Sequence, residues 1–259
     1  MLTCYPVINK AKARVICEAF ALGCGGTVAK DSTTLRDGDA AFYGVNASIG
    51  HVWRAMLKDS TRNWYYIDNP YFDATRGECF RITKNALQHS GLGVSDCKRF
   101  NALNIKIADW HAADAGKHIV VCEQSADYMQ VVAQYPGDWL DQTLRALRTA
   151  TSRELRVRKW QRDKTIAANT LPVDLMGAHA LVTWNSAAAI TAILAGVPAI
   201  VHTPCAASPM AGTPLDDIER LPQPEGRYNW CGVLADNQFT LDEMRSGYAW
   251  EVLNGGTRG

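Results

Sequence analysis

Short apolar runs separated by helix-length amphipathic segments constrain this chain more than any other feature of its sequence. The apolar runs predict strands at residues 40–45, 64–67, 119–122, 155–159, 181–184 and 199–202. Between them, apolar residues at helical spacing predict helices at residues 11–22, 48–57, 139–149 and 186–195. Strands that alternate with helices indicate βαβ units, and right-handed crossovers place helices on both faces of a mainly parallel sheet. The predicted class is therefore α/β.

The length of the chain and a change in its composition predict two halves. With 259 residues, the chain has room for one large domain or two small ones. Aromatic residues and asparagine are frequent before residues 109–118 (DWHAADAGKH), and a buried strand begins the strand–helix pattern again after them. We therefore predict Rossmann-like halves with mainly parallel sheets at residues 1–112 and 113–236, followed by a C-terminal helix and tail at residues 237–259.

The predicted C-terminal helix has a recognisable beginning and one interruption. Thr240, with Glu243 three residues later, has the spacing of a capping box, and Gly247 interrupts the helical pattern. Four apolar residues then share one helix face: Leu241, Met244, Tyr248 and Val252. We expect this face to pack back across the halves.

The formal net charge of +1 argues against a protein that binds nucleic acid over its whole surface, but the charge is unevenly distributed. Residues 54–106 contain nine basic and five acidic side chains, and residues 151–165 contain six basic and two acidic ones. Residues 213–251 contain three basic and eight acidic side chains. The basic regions are consistent either with anion sites or with ordinary solvated charged faces.

Cysteine usage and hydropathy predict a cytoplasmic protein without a membrane span. None of the eight cysteines has CxxC spacing, and the N-terminal residues MLTCYPVINKAKAR lack a signal-peptide pattern. Polar and turn residues break the apolar stretch at residues 180–201, so it reads as strand, helix and strand. The histidines have no HxH or HExxH spacing, which predicts no metal site, and neither a P-loop nor a GxSxG motif occurs.

The most informative segment is DLMGAHALVTWNSAAAITAILAGVPAIVH, at residues 174–202. A buried strand is predicted to turn through Asn185 and Ser186, at N-cap positions, into a helix of small residues. Gly196 suits a left-handed C-cap, and Pro198 prevents the helix from continuing. The free N–H groups of such a helix start, with the helix dipole behind them, can receive a phosphate or a sugar hydroxyl. An ordinary N-capped α/β unit explains the same spacing.

This segment resembles the nucleotide-binding unit of GT-B glycosyltransferases, in which a strand, an Asn/Ser/Thr turn and a helix ending in Gly-x-Pro bind a nucleotide-sugar donor. The matching residues are Asn185, Ser186, Gly196 and Pro198, and the resemblance extends over residues 118–205. Thr191 departs from the pattern, because many members carry a glutamate there that holds the donor ribose. The resemblance implies a metal-independent enzyme with no cofactor besides the UDP-sugar co-substrate.

Further donor-binding residues are expected on the neighbouring strands. Proteins of this type often carry basic residues on the strand at residues 155–159, where Arg158 or Lys159 would neutralise the diphosphate. Glu123 and Ser125 follow the first strand of the second half and are candidates for a matching donor loop, since ligands bind at the carboxyl ends of such strands. An edge strand protected by charge is the alternative for the basic residues.

Candidate acceptor-side residues lie in the first half. Residues 64–88 and the tail are similar to phage and bacterial GT-B-like proteins. Asp68, just past a predicted strand, is the first choice for the base that removes the acceptor proton. Glu123 and His51 are the alternatives for that role. Asn69, Arg81 and Lys84 are predicted to bind the acceptor, the two cations by meeting an anion. An Asx-type turn at Asp68 and ordinary solvent-exposed cations explain the same residues without a site.

Taken with the resemblance, these residues predict a glycosyltransferase that moves a sugar from a UDP-sugar to an acceptor hydroxyl. Phage members of this fold class include DNA glucosyltransferases, so the specific prediction is transfer of glucose to 5-hydroxymethylcytosine in duplex DNA of a phage, in the host cytoplasm. The alternatives are transfer to a surface glycan or small metabolite, and a non-catalytic module that binds a nucleotide or nucleotide sugar.

Overall fold

The computed structural model describes residues 1–7, 10–31, 34–72, 78–112, 115–161, 164–214 and 216–256. The strands in these residues are Thr3–Pro6 (β1), Thr27–Val28 (β2), Ala40–Tyr43 (β3), Trp64–Asp68 (β4), Cys79–Lys84 (β5), His118–Cys122 (β6), Glu154–Arg158 (β7), Ala178–Thr183 (β8), Ala199–Val201 (β9) and Gln238–Thr240 (β10). The α-helices are Ala11–Gly23 (α1), Gly50–Leu57 (α2), Lys98–Ala102 (α3), Trp139–Ala150 (α4), Lys164–Leu175 (α5), Ala188–Leu194 (α6), Arg227–Ala235 (α7), Leu241–Arg245 (α8) and Tyr248–Leu253 (α9). A π-helical turn at Tyr128–Ala133 and a 3-10 turn at Ser208–Met210 complete the described elements.

The chain forms two units that are interleaved along the sequence. Unit 1 comprises Met1–Gln88, Asp127–Gln134 and Asn237–Gly259, and unit 2 comprises His89–Ala126 and Tyr135–Asp236. The domain boundaries predicted from the sequence, after residues 112 and 236, stay predictions.

Unit 1 is built on a six-stranded sheet in the order β10-β5-β4-β3-β1-β2. Strands β4, β3, β1 and β2 run parallel to one another. Strand β5 is antiparallel to β4, and β10 is antiparallel to β5. Successive strand residues point to opposite faces. Cys4 and Tyr65 therefore join a core with α1 on one face, and Tyr5 and Tyr66 join a second core on the other.

The C-terminal segment packs in unit 1 on the face that carries α1. Met244 of α8 and Ala249 of α9 are fully buried in the core there, together with Phe20 and Phe239. The backbone of α1 meets the segment so closely that a Cβ atom at Gly23 would lie 1.8 Å from the carbonyl oxygen of Met244. Glycine is therefore required at the end of α1.

Unit 2 is built on a four-stranded parallel sheet in the order β7-β6-β8-β9. Strands β6 and β8 are buried along their whole length, which explains their nearly continuous apolar sequences. Strand β7 lies at the edge, and three of its five residues are exposed. Its polar sequence ELRVR follows from this position.

The predicted α/β class with two Rossmann-like, mainly parallel sheets is confirmed. The capping box at Thr240 and Glu243 is also confirmed, and Gly247, with a φ of +88°, separates α8 from α9. The sequence did not predict β1, β2, β5 or β10. The basic and acidic residues Asp73, Arg76, Arg162 and Asp163, which contribute to the predicted charged regions, lie outside the described residues.

Candidate functional site

In unit 2, the predicted donor-binding residues follow three neighbouring strands at one edge of the sheet. Strands β6, β7 and β8 are parallel and in register, with Cys122 paired to Arg158 and to Thr183. The loops after these residues, at 123–125, 159–160 and 184–187, form what we call the carboxyl edge of unit 2. The sequence predicted these three strands and a mainly parallel sheet, and the structure shows that they are neighbours. In α/β sheets this is the edge at which ligands bind.

Glu123 and Lys159 contact each other across this edge. Oε1 of Glu123 lies 3.3 Å from Nζ of Lys159, and Oε2 accepts a hydrogen bond of 2.9 Å from the backbone N–H of Trp160. The backbone N–H of Glu123 donates to the carbonyl oxygen of Arg158 at 2.9 Å. The ammonium of Lys159 has three donors and is 68% exposed, so it can also meet an anion. Ser125 lies half-buried in the same loop as Glu123.

Arg158 is held against α5. Its guanidinium pairs with Asp174 and donates to the hydroxyl of Thr170 at 2.9 Å, and its side chain is 13% exposed. Arg156 lies near the same carboxylate, which raises the pKa of Arg156, although Glu154 is the larger cause. Arg156 and Arg158 are two residues apart on β7 and therefore lie on the same face of the strand. A diphosphate would have to compete with Asp174 for Arg158, so Lys159 is the better placed of the two predicted cations.

The turn into α6 differs from the predicted N-cap. The helix begins at Ala188, and its N-cap is Ala187, which makes no side-chain capping bond. The prediction of Asn185 and Ser186 as the N-cap is therefore wrong in position. Asn185 is buried and accepts from the amide of Gln124 at 3.4 Å, while the hydroxyl of Ser186 accepts from the N–H of Ala188 at 3.2 Å.

The first N–H groups of α6 are largely satisfied within this turn. Ala189 donates to the carbonyl oxygen of Ser186 at 3.1 Å, and Ile190 and Thr191 donate to that of Ala187 at 3.0 and 3.3 Å. The carbonyl groups of this tight turn accept hydrogen bonds from the first N–H groups of the helix. Fewer of these N–H groups are therefore available to a ligand than the sequence predicted. At the other end of the helix the C-cap is Ala195, and Gly196, one residue later, has the predicted left-handed conformation with a φ of +78°.

The sequence did not predict an aromatic cluster that lies at the carboxyl edge of unit 2. Trp184 and His202, which directly follow β8 and β9, stack with a ring separation of 5.9 Å and an interplanar angle of 20°. Trp139 packs edge-on against both rings, and Tyr135 lies 5.0 Å from Trp184. Burial lowers the pKa of His202, which favours the neutral imidazole. The available signal was an aromatic residue directly after each of two buried parallel strands.

In unit 1, Asp68 and Arg81 form an ion pair. Nη2 of Arg81 lies 2.6 Å from Oδ2 of Asp68, and the two residues are directly opposite in the β4–β5 pair. Oδ1 of Asp68 accepts from the backbone N–H of Asn69 at 2.7 Å and lies 3.4 Å from its side-chain amide. Asp68 is 28% exposed, whereas Arg81 is buried. The structure therefore brings together three of the predicted acceptor-side residues: Asp68, Asn69 and Arg81.

Lys84 and His51 lie elsewhere in unit 1. Nζ of Lys84 donates to the side-chain oxygen of Asn254 at 2.7 Å, and the hydroxyl of Tyr65 donates to the same oxygen at 2.9 Å. Lys84 thus contacts the end of the C-terminal segment in this structure. His51 is the second residue of α2 and is exposed.

The described part of the chain contains neither a group of metal ligands nor a helix that could span a membrane. Within it, no three His, Cys, Asp or Glu side chains are grouped so that they could hold a metal ion. No helix there is both long enough and apolar enough to cross a membrane.

Comparison with known proteins gives similarity of fold. No protein-family model matches the chain, and no curated protein sequence matches it. Two solved structures from Thermosulfurimonas dismutans are similar. The KpsC beta Kdo 2,4 transferase is 9% identical with a TM-score of 0.54, over 92% of each chain. The KpsC beta Kdo 2,7 transferase is 10% identical with a TM-score of 0.54, over 98% of each chain. The chain therefore shares its fold with these two structures over nearly its whole length.

Proposed function

We propose that the protein is a glycosyltransferase that moves a sugar from a nucleotide-activated donor to an acceptor hydroxyl. The observation that carries the proposal is the similarity of fold to two transferases over more than nine-tenths of each chain. The clustering of polar and basic residues at the carboxyl edge of unit 2 supports it independently, because that edge is where α/β sheets bind nucleotides. Fold alone does not determine activity, so particular side chains have to supply the chemistry.

We assign the donor to the carboxyl edge of unit 2. Departure of a nucleotide leaves negative charge on its phosphate oxygens, which a positively charged group stabilises. Lys159 is exposed beside Glu123 and suits this role, with Arg158 as the second predicted cation. Ser186 and Asn185 border the start of α6, and Ser125 shares the loop of Glu123. In this proposal the cation and the polar turn act without a metal ion.

We assign the acceptor to unit 1, with Asp68 as the base. Transfer to a hydroxyl requires a group that takes the hydroxyl proton as the new glycosidic bond forms. Asp68 ends β4 and remains partly exposed, so a hydroxyl can reach its oxygens. Asn69 lies beside it, and its backbone N–H fixes one carboxylate oxygen.

The donor and acceptor have two candidate identities. The sequence predicts UDP-glucose and 5-hydroxymethylcytosine in duplex DNA, in the cytoplasm of a host cell. The two similar structures are Kdo transferases, which favours a glycan acceptor and a nucleotide-activated Kdo donor as the second candidate.

Titration calorimetry with UDP, UDP-glucose and a nucleotide-activated Kdo tests the donor site. We expect one of these to bind, and Lys159→Met to weaken that binding about 10- to 100-fold, the range for a charge-assisted hydrogen bond of about 1.5–3 kcal/mol. Lys117→Met is the matched control, because Lys117 is exposed and immediately precedes β6, at the opposite end of the strand from the carboxyl edge. Equal affinities for the two variants would remove Lys159 from the donor site.

A turnover assay distinguishes between the two candidate acceptors. The protein is incubated with each donor and with either a 5-hydroxymethylcytosine duplex or an oligosaccharide panel that includes Kdo-terminated glycans, and the products are measured by mass spectrometry. A hexose adduct on the base would support DNA glucosylation, and a lengthened oligosaccharide would support the glycan candidate. Donor binding without transfer to any acceptor would favour the non-catalytic binding module.

A further inference from the structure

The geometry of β4 and β5 fixes the ion pair between Asp68 and Arg81 independently of any ligand. These residues face each other directly in the antiparallel register, where side chains on the same face are close neighbours. Nη2 of Arg81 donates to Oδ2 of Asp68 at 2.6 Å, which is a short charge-assisted hydrogen bond. The sheet itself therefore places the guanidinium on the carboxylate.

Burial distinguishes this pair from the surface ion pairs of the chain. Arg81 is 7% exposed, its Cζ lies 5.0 Å from the centre of the Tyr71 ring, and its Nε–H is buried without a hydrogen-bond partner in the described residues. Burial lowers the pKa of Arg81, but Asp68, Tyr71 and Tyr66 raise it, and the net shift is upward. The guanidinium thus keeps its charge, and Asp68 is the carboxylate that compensates it.

From these contacts we propose that Arg81 is a positioning residue that acts through Asp68, and that the acceptor group at this point is a neutral hydroxyl. An anion would have to displace Asp68 from a buried guanidinium, which would leave a carboxylate without its partner. The backbone N–H and the side-chain amide of Asn69 both donate to Oδ1 of Asp68, whereas Arg81 is bonded to Oδ2, which keeps a further lone pair for a hydroxyl. This inference rests on the proposed function, and it replaces the expectation that Arg81 binds an acceptor anion.

The resulting step conserves atoms and electrons. The acceptor hydroxyl oxygen forms a bond to the anomeric carbon while its proton passes to a carboxylate oxygen of Asp68. The bond between the anomeric carbon and the donor phosphate oxygen breaks, and its electron pair leaves with the nucleotide. Arg81 keeps its protons and its charge throughout. Its contribution is to hold the carboxylate in one orientation, which is a requirement of general base catalysis.

A double-mutant cycle on turnover tests this role. Initial rates are measured for wild type, Asp68→Asn, Arg81→Met, Arg81→Lys and the double variant Asp68→Asn with Arg81→Met, using the donor and acceptor that support transfer in the assay above. We expect Asp68→Asn to lower kcat about 100-fold or more, because a positioned base typically contributes about 10²–10⁴. Arg81→Met should lower kcat at least about tenfold with little change in KM for the acceptor, and Arg81→Lys should restore part of it. The double variant should be no slower than Asp68→Asn alone.

The controls separate positioning from folding and from anion binding. Arg14→Met removes an exposed ion pair with Glu18 in the same unit and should leave kcat unchanged. The double variant removes both charges of the ion pair. Where Arg81→Met alone does not fold, the comparison of the double variant with Asp68→Asn still tests the role of Arg81. An Arg81→Met effect confined to KM and additive with Asp68→Asn would show an acceptor-anion site and overturn the inference. Full activity of Arg81→Met would also overturn it, while the donor site would stand. Absence of turnover in wild type would remove the inference together with the catalytic part of the proposed function.

Discussion

Alanine in place of Gly196 would add one methyl group where the end of α6 meets the segment at residues 108–111. Two backbone hydrogen bonds hold that segment: the N–H of Ala108 donates to Leu194, and the N–H of His111 donates to Gly196, both at 2.8 Å. A Cβ atom at Gly196 would lie 2.0 Å from the carbonyl oxygen of Asp109, which is a distance that real Cβ atoms essentially never show. Something in the backbone therefore has to move.

The expected cost has two parts. Gly196 has a φ of +78°, a conformation that costs a residue with a Cβ atom about 1–2 kcal/mol. Insertion of a methyl group into a packed backbone contact adds about 1–3 kcal/mol. Gly196→Ala should therefore lower the free energy of unfolding of unit 2 by about 2–5 kcal/mol. Gly177→Ala is the matched control, because Gly177 has a φ of +70° but no heavy atom within 4 Å of a Cβ atom, so only the first part applies.

Urea unfolding of both variants, followed by circular dichroism and tryptophan fluorescence, measures the difference. We expect a lower midpoint for Gly196→Ala than for Gly177→Ala, with the same slope in urea. Equal destabilisation of the two variants would refute the reasoning, because it would show that the contact with Asp109 adds nothing to the cost of the left-handed conformation.

Two further predictions concern unit 1. Thr240→Ala removes the side-chain oxygen that accepts from the N–H of Glu243 at 3.1 Å, so it should destabilise the protein by about 1 kcal/mol in the same urea assay, while Thr240→Ser should retain most of the stability. Burial raises the pKa of Tyr65 to about 12, although the hydrogen bond to Asn254 lowers it. Between pH 10 and 12 the unfolded chain loses this proton and the folded chain keeps it, so the contribution of Tyr65 to stability is complete below pH 10 and declines as the pH rises towards 12. Tyr65→Phe should make the alkaline fall in unfolding free energy shallower, measured by urea titrations at pH 9, 10 and 11, and an unchanged fall would contradict this assignment.

Local signals were enough to predict much of the fold. The capping box at Thr240 and the break at Gly247 depend on residues within one or two helical turns, and the structure has both. Strands β6 and β8 of unit 2 were predicted because a parallel strand covered on both faces is apolar at nearly every position. Helix α1 and strand β4 were likewise predicted to within one residue at either end.

Pairing between distant residues could not be read from the sequence. Strand β5 has the mixed sequence CFRITK and becomes a strand because it lies between β4 and β10, and β10 begins at residue 238. Lys84 looks like a free surface cation in the sequence, yet its partner Asn254 is 170 residues away. No local pattern contains this information, since it depends on how the chain returns to unit 1.

The candidate sites also depend partly on local sequence signals and partly on contacts between distant residues. The rule that ligands bind at the carboxyl ends of parallel strands was sufficient to select Glu123 and Ser125, because it requires only the end of a strand, whereas Lys159 and Asn185 were selected through the resemblance to GT-B glycosyltransferases. The start of α6 depends on backbone dihedrals that no residue type dictates, so the N-cap was misplaced. The stacking of Trp184 on His202 requires β8 and β9 to be neighbours, and that adjacency exists only in the folded sheet.

The basic residues of the first half bear on the choice of acceptor. Affinity for duplex DNA comes largely from cations that replace counterions at phosphates, so cations already held by the protein contribute less. In the described residues of this region, Arg81 pairs with Asp68 and Lys98 pairs with Asp96 at 2.7 Å. Arg62 donates to two backbone carbonyl groups, and Lys84 is bonded to Asn254. Arg62, Arg81 and Lys84 are thus held by contacts within unit 1, which reduces the number of cations in this region that can replace counterions at phosphates, whereas Lys98 remains 85% exposed.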